Sequence, residues 1–316
     1  MRFRVALLTF SLLFPLAVAS AEERTPRIAV AYDIGFKGDG GFNDAVSEAL
    51  ALAKKRFNLV PPFVREVPTS GTAVDRLSKL RFLAKNGYTL IITVGSGYRE
   101  TVRRVSMEYP ETQFAPINDK TLGQLNISNI YFDEVEAAQI AGTIAGAKSK
   151  TKVVAVIAGS EEVNSAFVAS AKGAEVLKIP LNSDVSGLSA ALGRADVVYS
   201  LWDRDAKVYE AVINRTPKTF YIARNPDQYF VDLNSHPRVI AVLDKKLNKP
   251  ISQLVRLALE NRALIDIVDD ELGIYGRTYG IKNLGITLLL GSKFSKLDAD
   301  ALARVFPGLR VTTNQG

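Results

Sequence analysis

Short apolar runs alternate along this chain with longer stretches of helical periodicity. The first run, Ile28 to Ala31, is made of β-branched and small residues and suits a strand buried on both faces of a parallel sheet. Asp33 ends it, and Gly35, Gly38, Gly40 and Gly41 make the next stretch a loop that other backbone can approach closely. A helical stripe follows, with Ala45, Val46, Ala49, Leu50 and Ala53 on one face and Asn43 as the expected N-cap.

The same unit recurs. Phe63–Val67 reads as a strand, and Val74, Leu77, Leu80, Phe82 and Leu83 form a helical stripe closed by Asn86-Gly87. Thr89–Val94 is a buried strand that ends in the turn Gly95-Ser96-Gly97, with a helix from about Arg99 to Tyr109. Gln113–Ile117 is a strand ended by Asn118-Asp119. A second series starts near Asn129 with a short strand and the small-residue helix Glu134–Ala147, which can pack very close to a neighbour. Strands are expected at Val153–Ile157, Val176–Ile179, Asp196–Leu201, Thr219–Ala223 and Val239–Leu243, with helices through Phe167, near Ser186–Leu192 and at Asp205–Ile213. Strand–helix alternation of this kind predicts an α/β fold of parallel sheets covered by helices. Two series of similar length predict two lobes.

In both series polar and aromatic residues gather just after strands: Asp33, Phe42 and Asn43; Ser96; Asn118 and Asp119; Trp202 and Asp203; Asn225, Asp227 and Gln228; Lys245. Ligands of open α/β sheets bind at the carboxyl ends of strands. If the two lobes face each other by those edges, the residues converge on one cleft suited to a small polar ligand with a flat ring. Aromatics would stack on the ring, carboxylates would accept from its donors, and the lysine would donate. Phe42 has a second reading, as an apolar staple packed under its own loop. Gly95-Ser96-Gly97 is not a dinucleotide fingerprint, because the third glycine would fall on Glu100.

Composition narrows the classes. The 316 residues carry a formal net charge of +7, but the basic residues are scattered, so no nucleic-acid partner is expected. The start reads as a secretory signal peptide over residues 1–21: Arg2 and Arg4, an apolar core from Val5 to Val18, and the small-residue site Ala19-Ser20-Ala21. An uncleaved anchor is the alternative. No later run reaches the roughly 18 apolar residues of a membrane span. The chain has no cysteine, so neither a disulfide nor a lipid anchor at the cleavage point is expected. The only histidine, His236, lies in the loop Asn234-Ser-His-Pro, and neither H-E-x-x-H, G-x-S-x-G nor an aspartate cluster with metal spacing occurs. No enzyme activity, cofactor or metal is therefore expected.

The ordered motifs resemble the basic membrane protein family of ABC-transporter substrate-binding proteins, the purine-nucleoside receptor type. Asp33-Ile-Gly35 with Phe42-Asn43 is similar to its D-x-G-x-x-D-x-x-F-N, with a slightly lengthened loop. Ile92-Thr-Val-Gly95 and the segment Tyr109 to Asp119 resemble its glycine turn and YP-x-x-x-F-x-x-x-D segment. Tyr131 to Glu136 with Ala141-Gly142, then Asp227-Gln228, Lys245 and Gly280 to Gly285, follow in the family's order, over residues 27 to 290. The resemblance implies a type I periplasmic-binding fold: two doubly wound parallel-sheet lobes joined by hinge strands. The lobes are expected at 27–128 with 246–272, and at 129–245 with 280–316. It implies an extracytoplasmic, monomeric binder that delivers a nucleoside or related ring compound to a membrane permease. A sensor of the same fold, or a nucleoside-processing enzyme, is the alternative. Phe42 matches the family's first stacking aromatic, Asp119 its base-recognising carboxylate, and Trp202 is placed second by position alone. Two departures stand out: the absent cysteine, and Ala223-Arg224-Asn225 where the family has G-V-D, which puts an amide in place of a ribose-gripping carboxylate.

Overall fold

A computed structural model describes residues 26–61, 63–121, 123–157, 159–180, 185–201, 214–227 and 237–313. The described strands form two seven-stranded sheets. The first has the order β11-β12-β5-β4-β3-β1-β2. It contains β1 (Ile28–Tyr32), β2 (Val64–Pro68), β3 (Leu90–Val94), β4 (Gln113–Ile117), β5 (Asn129–Phe132), β11 (Asp266–Asp269) and β12 (Ile274–Tyr279). The second has the order β14-β13-β10-β9-β8-β6-β7. It contains β6 (Val153–Ile157), β7 (Glu175–Ile179), β8 (Val197–Ser200), β9 (Phe220–Asn225), β10 (Val239–Lys245), β13 (Ile286–Leu290) and β14 (Val311–Thr313). Pairing is parallel except for β11 with β12 and β10 with β13.

The apolar runs explain the central strands. All five residues of β1 and of β3 are buried, as strands covered by helices on both faces must be. The helices are α1 (Phe42–Arg56), α2 (Ala73–Lys85), α3 (Arg99–Glu108), α4 (Glu134–Lys148), α5 (Glu161–Ser170), α6 (Val185–Leu192), α7 (Asn248–Leu259) and α8 (Lys296–Val305). The stripe Ala45, Val46, Ala49, Leu50 and Ala53 is buried as the periodicity predicts. The start of α1 differs from the expectation. The cap is Gly41, without a side-chain bond, and Asn43 sits inside the first turn. Its amide Nδ2 donates to the carbonyls of Ile34 and Phe36 at 3.2 and 3.1 Å, so it ties down the loop before the helix instead of capping it. The small residues of α4 do allow close approach: a Cβ on Gly142 would lie 2.5 Å from the Phe167 carbonyl oxygen of α5.

The chain crosses between the sheets after β5, after β10 and after β12. The expected boundary between 128 and 129 precedes β5. That strand pairs with β4 and with β12 inside the first sheet, and the Asn129 side chain bonds Thr121 and the Tyr275 carbonyl there. The first crossing therefore comes at Asp133, whose carboxylate caps α4. The stretch 246–272 supplies α7 and β11, with Arg56 of α1 reaching Ser252 of α7 at 3.4 Å. Among the described residues no helix is long and apolar enough to cross a membrane.

Candidate functional site

The carboxyl ends of the two sheets meet. Lys245, at the end of β10, donates from Nζ to the Asn118 side-chain oxygen, at the end of β4, across 3.4 Å. Asn118 reaches there from a left-handed backbone conformation, φ 58°, a conformation asparagine tolerates better than most side chains. The expected site residues lie along this junction, but most of their polar atoms are already engaged within the protein.

On the first-lobe side, Asp33 accepts from Arg76 Nε of α2 and, at 3.0 Å, from the Gly97 backbone N–H. Residues 95 and 97 must be glycine for that approach: a Cβ at Gly95 would lie 2.5 Å from Asp33 Cβ, and one at Gly97 2.2 Å from its Oδ2. Asp119 accepts from Arg99, whose Nε lies 3.0 and 3.2 Å from its two oxygens and whose Nη2 adds a third contact. The Lys120 backbone N–H donates to the same carboxylate at 2.8 Å. The pair raises the affinity of Arg99 for its proton above the usual guanidinium range. Ser96 is exposed on the rim of the turn before α3. Phe42 is half-buried and packs against the main apolar cluster, as the staple reading requires, while keeping a part-exposed surface for a ligand.

At the crossing four charges close on one another. Lys245 donates to Glu134 at the start of α4 and, at 2.9 Å, to Asp227. Arg224, at the end of β9, donates to Glu134 Oε2 at 3.0 Å and to the Leu201 carbonyl at 2.9 Å. Burial opposes ionisation of Glu134, but the charges of Lys245 and Arg224 outweigh it and hold the carboxyl well below its usual range. Burial likewise opposes the charge of Arg224, and Glu134 and Asp227 together override it. The Lys245 ammonium also sits 5.6 Å above the Phe132 ring. Asn225 is buried at the end of β9. Trp202, Asp203, Gln228 and His236 lie outside the described residues, and so does the second stacking position. Among the described residues no cluster could hold a metal ion. A groove of about 550 Å³ between α1 and α7 lies on a helical face, away from these strand ends.

Residues 26–177 match the model of a family described as ABC transporter substrate-binding protein PnrA-like. Over that stretch, a little under half of the chain, the sequence is similar to the basic membrane protein family. Its relatives include an uncharacterized lipoprotein of Pyrococcus furiosus, 32% identical over 38% of this chain and 29% of that one. Basic membrane protein A1 of Borrelia garinii is 28% identical over 47% and 43%. The ABC transporter nucleoside-binding protein BmpA of Lactococcus lactis is 22% identical over 65% of each chain. The matches thus span less than two thirds of each relative. Among solved structures, a solute-binding protein from Aeropyrum pernix superposes with a TM-score of 0.63 over 89% of this chain and 80% of that one, at 17% identity. One titled as a transcriptional activator of the comK gene from Bacillus halodurans gives 0.68 over 90% and 99%, at 16% identity. At such identities the likeness is one of fold, the two-lobed α/β architecture of solute-binding proteins.

Sequence reasoning did not reach four residues of this junction as site members: Arg76, Arg99, Glu134 and Arg224. Arg224 had a signal, since it stands in the motif position where the family differs. Glu134 also had one, as the residue after a helix cap directly behind a strand. Arg76 and Arg99 had none, because only the tertiary fold brings them to Asp33 and Asp119.

Proposed function

We propose that this chain is the extracytoplasmic binding component of an ABC transporter, closing on a nucleoside-related ring compound between its two lobes and presenting it to a membrane permease. The observation that carries the reading is the meeting of the two carboxyl edges at Asn118 and Lys245, with Asp33, Phe42 and Asp119 along one of them. The family match over residues 26–177 supports the class, and the nucleoside-binding title of the Lactococcus lactis relative supports the ligand. The ring lies on Phe42, with Asn225, Asp227 and Lys245 on the opposite wall and Ser96 at the rim. A ligand that touches both walls only when they are together shifts the population toward closure, by no more than its differential affinity for the two forms.

Small-angle scattering tests this with the full chain and with the small molecule that co-purifies, identified by mass spectrometry. A radius of gyration that falls on saturation supports closure. An unchanged radius with demonstrated binding removes it, and chemical conversion of the bound compound would make the protein an enzyme. The reading also includes release as a free protein after cleavage between Ala21 and Glu22. N-terminal sequencing and cell fractionation check that point: recovery only in the membrane pellet with Met1 retained is the contrary result.

A further inference from the structure

The first-lobe wall presents cations where a nucleoside receptor would present acceptors. A carboxylate recognises a ligand's N–H groups through free lone pairs, of which it has about four. At Asp119, Oδ1 accepts from Arg99 Nε, Arg99 Nη2 and the Lys120 N–H, Oδ2 accepts from Arg99 Nε at 3.2 Å, and the side chain is only 6% exposed. Its partner Arg99 is 55% exposed, so the open side of the pair is a guanidinium. All three contacts with Asp119 use Nε or Nη2, and among the described residues Nη1 of Arg99 has no acceptor. Asp33 accepts one N–H on each oxygen, from Arg76 and from Gly97.

Beside them is Lys120, whose ammonium lies 4.4 Å over the Tyr131 ring and, among the described residues, makes no ion pair. Three carboxylates act on the Tyr131 hydroxyl: Glu134, Glu162 and Asp133. The first is bound by Lys245 and Arg224, the last caps α4, and Glu162 is exposed on the second lobe. Arg99 and Lys120 are thus the cations of this wall with N–H groups left over; Glu100 also acts on Arg99 but is itself paired with Arg103. The crossing, with two cations and two carboxylates, is balanced.

We infer that the ligand carries an acid group: a flat ring compound bearing a carboxylate or a phosphate, whose anion is received by the outward N–H groups of Arg99 and by Lys120. The inference rests on the binding-protein reading and narrows its ligand class. Guanidinium is suited to it, because its planar fork matches both kinds of oxyanion.

Calorimetry on the full chain with two matched pairs tests it. The pairs are uracil with orotate, which adds a carboxylate, and inosine with inosine 5′-monophosphate, which adds a phosphate. The expected result is that the acidic member of one pair binds at least tenfold tighter than its neutral partner, and which pair does so separates carboxylate from phosphate. Arg99→Gln and Lys120→Gln should each abolish most of that preference, measured as the ratio of the two affinities within one variant. Neutral members that bind as tightly as acidic ones, or a preference that survives in both variants, overturn the inference and leave the binding-protein reading intact. If none of the four binds, the co-purified molecule decides. A ring acid supports the inference, a neutral ring compound overturns it alone, and the absence of any bound ring compound overturns both.

Discussion

At the first-lobe edge Asp33 and Asp119 each pair with one arginine reached from a neighbouring helix, whereas at the lobe crossing Glu134, Asp227, Arg224 and Lys245 hold one another in a closed set. The two regions use the same chemistry, and at the edge only the Arg99–Asp119 pair has an exposed arginine: Arg76 and Asp33 are 14% and 8% exposed. Arg99 is more than half exposed, while the side chains of the crossing are between 3% and 13% exposed. An exposed pair is worth at most about 1 kcal/mol and its arginine stays available to another partner. A buried set has lost its water, so each member depends on the others. The Arg99–Asp119 pair is therefore suited to exchange partners with a ligand, and the crossing to fix how the two sheets sit against each other.

The largest effect follows from breaking the buried set. Glu134→Ala leaves Lys245 and Arg224 facing each other in the interior with only Asp227 between them. Removing one partner of a buried ion pair costs about 3–5 kcal/mol, and urea unfolding should show a loss of that size. A loss below about 1 kcal/mol would put the crossing on the same footing as the edge. Acid gives an independent check. Because the folded protein holds the Glu134 carboxyl below its usual range, this contribution is complete above the unfolded-state value, near 4.5, and is lost as pH falls below it toward the depressed value. Wild type should lose stability over that window more steeply than Glu134→Gln does.

A smaller effect separates the two roles of Phe42. A ring–base stack is worth roughly 1–3 kcal/mol, so Phe42→Ala should weaken binding about 5- to 150-fold. Considered without its neighbours, the residue would serve the ligand alone and its loss would leave stability untouched. Its packing against the main apolar cluster changes that expectation to a further loss of about 1–2 kcal/mol of stability. Calorimetry and thermal unfolding on the same variant measure both. Unchanged affinity with a large stability loss would assign Phe42 to the core alone.

Most of the architecture was legible because it depends on local periodicity. β1 and β3 are apolar at every position, and Ala45 to Ala53 repeat on one helical face, so those elements follow from the chain itself. The position of the first crossing did not, because β5 pairs on both sides with strands from distant parts of the chain, one of them β12. The site was legible in its residue types and illegible in its pairings. Asp33 and Asp119 stand at strand ends where ligands bind, but whether a carboxylate there is free depends on Arg76, 43 residues away in sequence, and Arg99, 20 residues away. Asn43 shows the same limit: its type suits a cap, and in the fold Gly41 caps the helix while the Asn43 amide latches the loop carbonyls of Ile34 and Phe36.

The smallest predicted change concerns the stability of Arg99→Gln. The guanidinium gives Asp119 two donors, which would suggest a costly loss if the arginine were buried. Its exposure sets the size instead. Water can replace the lost donors at the outer face, and the Lys120 N–H continues to satisfy one lone pair at 2.8 Å. The cost should stay under about 1 kcal/mol and shrink further in high salt, since the screening length falls to about 3 Å at 1 M. Denaturant titrations at low and high salt check it. A loss above about 2 kcal/mol, insensitive to salt, would place this pair with the buried crossing, make Arg99 a structural residue, and remove the difference between edge and crossing on which its availability to a ligand depends.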